Sequence, residues 1–196
     1  SAGGPVGMLN IDFIREVNLS TSSFGAEYDN PLSGVLAFEQ RDGNNDKKSF
    51  KVRVGASEAG ITLNTPLFLK QNNRSNTTLM LSVRRSYLQF VFALVGLPIR
   101  PDYWDYQWKI DHKFDKYNSL SFIGLGSIDD FSVVAPEDFD AEQQSTIEQV
   151  PIIQQKTRTL GLSWNRNFKN GKGRMRTVLS SNKLQIVSVD GTVEVD

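Results

Sequence analysis

Residues 103–114, YWDYQWKIDHKF, decide how this chain is read. Trp104, Tyr106, Trp108, Ile110, His112 and Phe114 alternate with Asp105, Gln107, Lys109, Asp111 and Lys113. Successive side chains of a strand point to opposite faces, so the stretch predicts a strand with one aromatic, apolar wall and one charged wall. Trp and Tyr favour a boundary where the ring is in an apolar medium and its polar tip is wet. The pattern fits a wall with lipid on its apolar side and a polar lumen on the other, the arrangement of an outer-membrane barrel.

The same alternation recurs on both sides of this stretch. In Lys48–Ala56, Phe50, Val52 and Val54 oppose Lys51, Arg53 and Gly55. Ala59–Leu67 carries Ile61 and Leu63 against Thr62 and Asn64, and Thr77–Arg85 carries Leu79, Leu81 and Val83 against Thr78, Met80, Ser82 and Arg84. Ser119–Ile128, Thr157–Phe168 and Arg174–Val189 read as further strands, with an Asn170-Gly171 hairpin signal between the last two. Short turns at Asp115–Asn118 and Lys169–Lys172 alternate with long connections at Leu88–Asp102 and Asp129–Gln155, as short inner turns and long outer loops do in a barrel. Ser57-Glu58 is a short exception. The expectation is an all-β chain with about seven antiparallel barrel strands. A membrane tolerates no open strand edges, so these strands are expected to belong to a larger closed barrel and the chain to be a piece of a longer protein.

Before residue 49 the pattern is less regular. Ser1–Gly7 is small and loop-like. Phe13–Ser20 reads as a strand with both faces mixed, which suits packing inside something. Ser22–Pro31 is rich in turn formers, Ser33–Arg41 is a second strand, and Asp42–Lys48 (DGNNDKK) marks a domain boundary.

Composition narrows the function classes. Lys plus Arg and Asp plus Glu both number 22, so nothing points to nucleic acid as a partner. The chain has no cysteine, which removes disulfides and thiolate metal sites. The longest apolar run, Tyr87–Leu97, is broken by Gln89 and falls short of the about 20 residues of a spanning helix. Ser1–Gly4 has neither the basic start nor the apolar core of a signal peptide.

No catalytic constellation, cofactor or metal is expected. His112 is the sole histidine, and no GxSxG elbow occurs. Asp129, Asp130, Glu137, Asp138 and Asp140 could hold calcium through oxygens, though their spacing is not that of an EF-hand, and a solvated acidic loop is the plainer account. Asp138–Gln149 could form a short helix capped by Asp138. Asp102, Tyr103 and Trp104, with Asp129 and Asp130, are rim candidates that could meet a sugar or chelate; an interfacial aromatic girdle is the simpler role for the rings. Arg84-Arg85 could meet an anion, or simply face the lumen.

Several stretches resemble a known family, the TonB-dependent outer-membrane receptors, most closely the branch with a carboxypeptidase-regulatory-like domain. They are GGPVGMLNIDFIREVNLSTSSFGAEYDNPLSGVLAFEQRDG, KVRVGASEAGITLNTPL, LSVRRSYLQFVFALVGLP and FDKYNSLSFIGLGSIDDF, reaching to Phe131. The resemblance implies that residues 1–43 are the C-terminal part of a plug domain, 44–48 a linker, and 49–196 the first strands of a transmembrane barrel of about 22 strands. It implies energy-coupled uptake of an iron chelate, cobalamin, glycan or peptide at the outer membrane. The implied partners are a TonB-type energiser acting through plug sequence outside this chain, membrane lipid, a small-molecule or glycan ligand, and a possible surface lipoprotein. Arg15 and Glu16 are expected to meet the lumen wall, which offers Arg53, Arg84 and Lys109. The alternative is a soluble antiparallel β-sheet module whose aromatic wall binds carbohydrate or peptide.

Overall fold

The computed structural model describes residues 9–22, 25, 28, 33–69, 74–96, 99–133, 153–168 and 171–188. A 3₁₀ turn at Ile11–Phe13 leads into β1 (Ile14–Ser20), which pairs antiparallel with β2 (Val35–Gln40). Then follow β3 (Ser49–Val54), β4 (Glu58–Leu67), β5 (Thr77–Ser86), α1 (Leu88–Leu94), β6 (Ile99–Lys113), β7 (Asn118–Val133), β8 (Ile153–Asn167) and β9 (Arg174–Ser188). These last seven strands form one sheet, each antiparallel to the next in chain order. Among the described residues the structure is therefore all-β apart from α1 and the turn.

Several boundaries differ from the sequence reading. The strand expected over Phe13–Ser20 begins one residue later, because Asn10 starts a turn instead. The apolar run at Tyr87–Leu97 contains α1, a helix that alternation alone did not reveal. Strands β7 and β8 extend into the connection read as Asp129–Gln155. The helix expected over Asp138–Gln149, the acids Glu137, Asp138 and Asp140, Asn170 and the strand start at Thr192 lie outside the described residues.

Two prolines show how far each neighbour reaches. Pro66 lies on β4 beyond the last β3 pair, Ser49–Asn64. Pro101 lies on β6 beyond the last β5 pair, Arg85–Trp104. Each lacks an N–H to give, and each stands where its strand has outrun one partner.

Register carries the parity of Trp104 across the sheet. On its face lie Phe50, Val52 and Val54 of β3, Ile61 and Leu63 of β4, and Leu79, Leu81 and Val83 of β5. Leu120, Phe122 and Ile128 of β7 follow, then Leu160, Leu162 and Trp164 of β8. All 3 tryptophans share this face. Strand β9 departs from the pattern: Thr177, Ser181, Lys183 and Gln185 share the outward positions with Met175, Leu179 and Val187, and Val178, Leu184 and Ile186 take inward ones.

Burial inverts the usual order of a soluble sheet. Among the described residues the buried apolar side chains are Phe13 and Met80. Thr62, Asn64, Thr78, Ser82, Arg84, Asp105, Gln107, Lys109, Asp111 and Ser127 are buried, all on the face opposite Trp104. Meanwhile Val54 is 73% exposed, Phe50 65% and Leu179 66%.

Glycines let the outward rings lie against the sheet. Trp108 pairs with Gly124 and Tyr106 with Gly126. A Cβ on Gly124 would sit 2.3 Å from the indole of Trp108, and one on Gly126 would sit 2.5 Å from the Tyr106 hydroxyl. Trp108 also meets Phe122 edge-on, ring centroids 4.7 Å apart. Gly124→Val should displace the indole and destabilise the sheet by about 1–3 kcal/mol, the usual range for overpacking. Urea unfolding in detergent, with Gly55→Ala as a control whose Cβ would meet only ordinary contacts from 3.6 Å, measures the difference.

Candidate functional site on the polar face

The most developed arrangement of polar groups is the junction between residues 9–45 and the charged face of the sheet. Thr62, Ser82 and Gln107 occupy one cross-strand row on β4, β5 and β6. Asn10 meets all three. Its side-chain amide donates to Thr62 Oγ1 at 3.1 Å and Ser82 Oγ at 2.6 Å, and its backbone N–H donates to Gln107 Oε1 at 3.1 Å. Its remaining oxygen accepts the Asp12 N–H at 2.9 Å, capping the 3₁₀ turn. With 3% of its surface exposed, Asn10 is satisfied on both its amide atoms.

The turn aims Asp12 at β3. Lys51 Nζ lies 2.9 Å from its carboxylate and the Arg53 guanidinium 3.3 Å. Burial alone would raise the Asp12 pKa; Lys51 and Arg53 outweigh it and hold the carboxyl below its ordinary value. Phe13 is fully buried, and its carbonyl accepts the Arg41 N–H at 2.9 Å, tying the start of β1 to the end of β2.

A second set of contacts holds residues 41–45. Lys109 Nζ donates to the Arg41 carbonyl at 2.9 Å and lies 3.8 Å from Asp42, while Lys113 reaches Asp42 at 3.3 Å. The Asn44 N–H donates to Asn64 Oδ1 at 2.7 Å, and the Asn45 carbonyl accepts the Ser75 N–H at 2.8 Å. Gly43 passes so close to β5 that an added Cβ would fall 2.5 Å from Thr78 Oγ1.

The sequence-derived candidates distribute as follows. Arg53 and Lys109 contact the N-terminal segment, through Asp12 and through Arg41 and Asp42. Arg84 is buried between Asp105 at 2.8 Å and Glu58 at 3.6 Å, both on the same sheet. Arg15, expected to meet the lumen wall, pairs with Glu39 of β2: it falls at the irregularity between the Ile14–Gln40 and Glu16–Glu39 pairs, next to the position opposite Glu39. Glu16 is exposed opposite Glu39 in the ladder. The rim candidates divide between faces. Tyr103 and Asp129 pair on the inward side, where the Ser127 hydroxyl donates to Asp129 at 3.2 Å. Asp102, Trp104 and Asp130 point outward; Arg85 binds Asp102 at 3.2 Å and stacks 4.8 Å over Trp104, and Gln154 donates to Asp130 at 3.4 Å.

Asn10 and Asp12 were not singled out by sequence reasoning. The available signal was an Asn followed two residues later by Asp before a short apolar turn, a helix-start pattern too brief to stand out. His112 shares a 2.8 Å hydrogen bond with Thr77 on the outward side. Among the described residues no group of three or more His, Cys, Asp or Glu could hold a metal.

Asn10→Ala keeps the backbone N–H that meets Gln107 but should leave Thr62 and Ser82 without their shared side-chain donor, at a local cost of about 1–3 kcal/mol. Hydrogen exchange should then speed at Phe13 and Arg41 while β6–β8 amides keep their protection. The Asp12 contact is also pH-dependent. A carboxyl whose folded pKa is depressed stabilises above its unfolded value, and that contribution is lost as pH falls through the folded one. Exchange at residues 11–13 should therefore rise in acid below the ordinary carboxylate range. Asp12→Asn should remove that step.

No protein-family model, no curated protein and no solved structure matches the chain.

Proposed function

We propose that this chain is part of a TonB-dependent outer-membrane transporter: the end of its plug, a linker, and seven consecutive strands of a barrel wall. Its role is energy-coupled uptake of a nutrient such as an iron chelate, cobalamin, glycan or peptide, without chemistry on the cargo. The observation that carries this reading is the inversion of the sheet. Ion-pairing and hydrogen-bonding side chains are buried beneath the N-terminal segment, and a field of aliphatic and aromatic side chains faces out. In water such a face would be covered or would aggregate; in a bilayer it is the ground state.

Geometry supports the same reading. Trp104 to His112 is eight residues, about 26 Å along a strand at about 3.3 Å per residue. That is the scale of the about 25 Å apolar band of outer-membrane barrels, before tilt shortens it. The end where the linker enters holds the connections 68–76, 114–117 and 168–173. The opposite end carries 55–57, the α1 connection and 134–152, so the longest connection shares an end with the rim candidates. On this reading β3 and β9, whose outer edges are unpaired among the described residues, continue into further strands of the barrel.

The soluble-module alternative needs the apolar face to close over a core. Among the described residues no second layer lies on it, so the importer reading is preferred. Fluorescence separates the two. The chain refolded into vesicles with brominated acyl chains should lose most of its tryptophan emission, Trp108 to deep bromines and Trp104 to shallow ones, in variants with the other tryptophans replaced by Phe. Iodide in the water should quench little. Full quenching by iodide and none by bromolipid would overturn the assignment.

A further inference from the structure

We propose that Lys51 and Arg53, on the polar face of β3, are a binding site for a carboxylate group of the cargo, which takes the place of Asp12 and loosens the 3₁₀ turn when cargo arrives. The inference rests on the importer reading above and adds to it the chemical class of the cargo.

The register sets the two cations side by side. Lys51 stands opposite Thr62, in the row that continues through Ser82 and Gln107, and Arg53 stands opposite Gly60, in the row that continues through Arg84 and Asp105. Both belong to one short strand and share a face, so their charges repel. Asp12 meets both, one oxygen turned to each. Among the described residues it is the carboxylate that pairs with them; Glu58 and Asp105 are held by Arg84 at 3.6 Å and 2.8 Å. Two cations therefore share one anion, and positive charge is left over.

The exposures show which partner is replaceable. With Asp12 in place the Lys51 side chain is still 55% exposed and that of Arg53 43%, while Asp12 is 14% exposed. Asp12 takes one hydrogen bond from each cation, so most N–H groups of the ammonium and the guanidinium are left for a further acceptor. Arg53 also lies beside the 55–57 connection, at the end of the sheet that carries the rim candidates. Cargo entering from that end meets this pair ahead of the Lys109 and Lys113 contacts with Asp42.

Asp12 identifies the group that fits. Its contact to Arg53 is long, 3.3 Å to one nitrogen, because the turn fixes its backbone while Lys51 draws the other oxygen in at 2.9 Å. A carboxylate on a free molecule is under no such constraint. It reaches the guanidinium through both oxygens and still borders the ammonium, the stronger geometry. Asp12 is then left with the Asn10 cap on its own N–H. Carboxylate-bearing iron chelates, uronate glycans and acidic peptides share this chemistry; neutral glycans lack it.

The test uses the whole chain refolded into zwitterionic vesicles, with citrate, trigalacturonate and triglutamate as carboxylate probes and maltotriose as the neutral control. Calorimetry reads binding, and hydrogen exchange reads residues 11–13. At least one carboxylate probe should bind saturably and speed that exchange, and the probe that binds best names the source; maltotriose should do neither. Lys51→Gln/Arg53→Gln should weaken binding about tenfold, the loss of a charge-assisted contact. Asp12→Asn, which vacates the cations, should tighten it about threefold, the scale of an exposed ion pair. Lys156→Gln/Lys183→Gln, which removes two cations from the outward face, should leave it unchanged. No binding by any of the three probes, equal binding in the Lys51/Arg53 variant, unchanged or weaker binding in Asp12→Asn, or loss in the outward-face variant each overturns the site. Bromolipid quenching of the tryptophans is read on the same samples. Without quenching the importer reading itself fails; with quenching and no carboxylate binding, only the cargo site fails.

Discussion

Charge can be buried in a protein only where another group meets it, and on this sheet the N-terminal segment supplies much of that meeting. Lys109 is 6% exposed and spans the Arg41 carbonyl and the Asp111 carboxylate. Thr62, Ser82 and Gln107 converge on Asn10. Without residues 10–44 these side chains would face an empty cleft, with their own ladder as the remaining support. The order of the inner face around Gln107 and Lys109 therefore depends on polar contacts made by a segment that is not part of the sheet, while Arg84 is met by Asp105 and Glu58 of the sheet itself. Few apolar side chains share in that burial; among the described residues Phe13 and Met80 are the fully covered ones.

The outer face obeys the opposite rule. Its side chains are large, apolar and open, and what fixes them is contact within the layer: Trp108 over Gly124, Tyr106 over Gly126, Trp108 edge-on to Phe122. Removing Cβ atoms beneath the rings flattens the surface and gives each ring a backbone floor. The two faces thus use different chemistry on the same strands, ion pairs within and dispersion without. A surrounding medium that dissolves hydrocarbon reconciles them, which is why the barrel-wall proposal follows from the sheet and not from any single residue.

Strand identity was legible because period-two alternation needs no neighbour to be read, and residues 103–114 display it over a dozen positions. That the two faces would differ in chemistry was also legible, since rings and aliphatic side chains alternate with Asp, Gln and Lys along this strand. The junction was harder. Arg15 looked available to the lumen because its charge was visible and its cross-strand partner was not; pairing with Glu39 depends on the β1–β2 register. Asn10 and the approach of Gly43 to Thr78 are long-range facts, carried by contacts dozens of residues apart. Helix α1 was hidden because seven mostly apolar residues between a strand and a proline carry too little period to separate helix from loop.

The contacts along residues 10–45 are separate from one another, and this has a mechanical side. Asn10, then Asp12, then the Phe13–Arg41 tie, then Lys109 on Arg41, then Asn44 on Asn64 are met in succession along the path. A tug on the chain upstream of Leu9 loads the first of these before the last, so the fastenings part in sequence, each under the full tension. Such an attachment yields to a directed pull one contact at a time, never all at once. The segment is held like a zip fastener with its tab at Asn10.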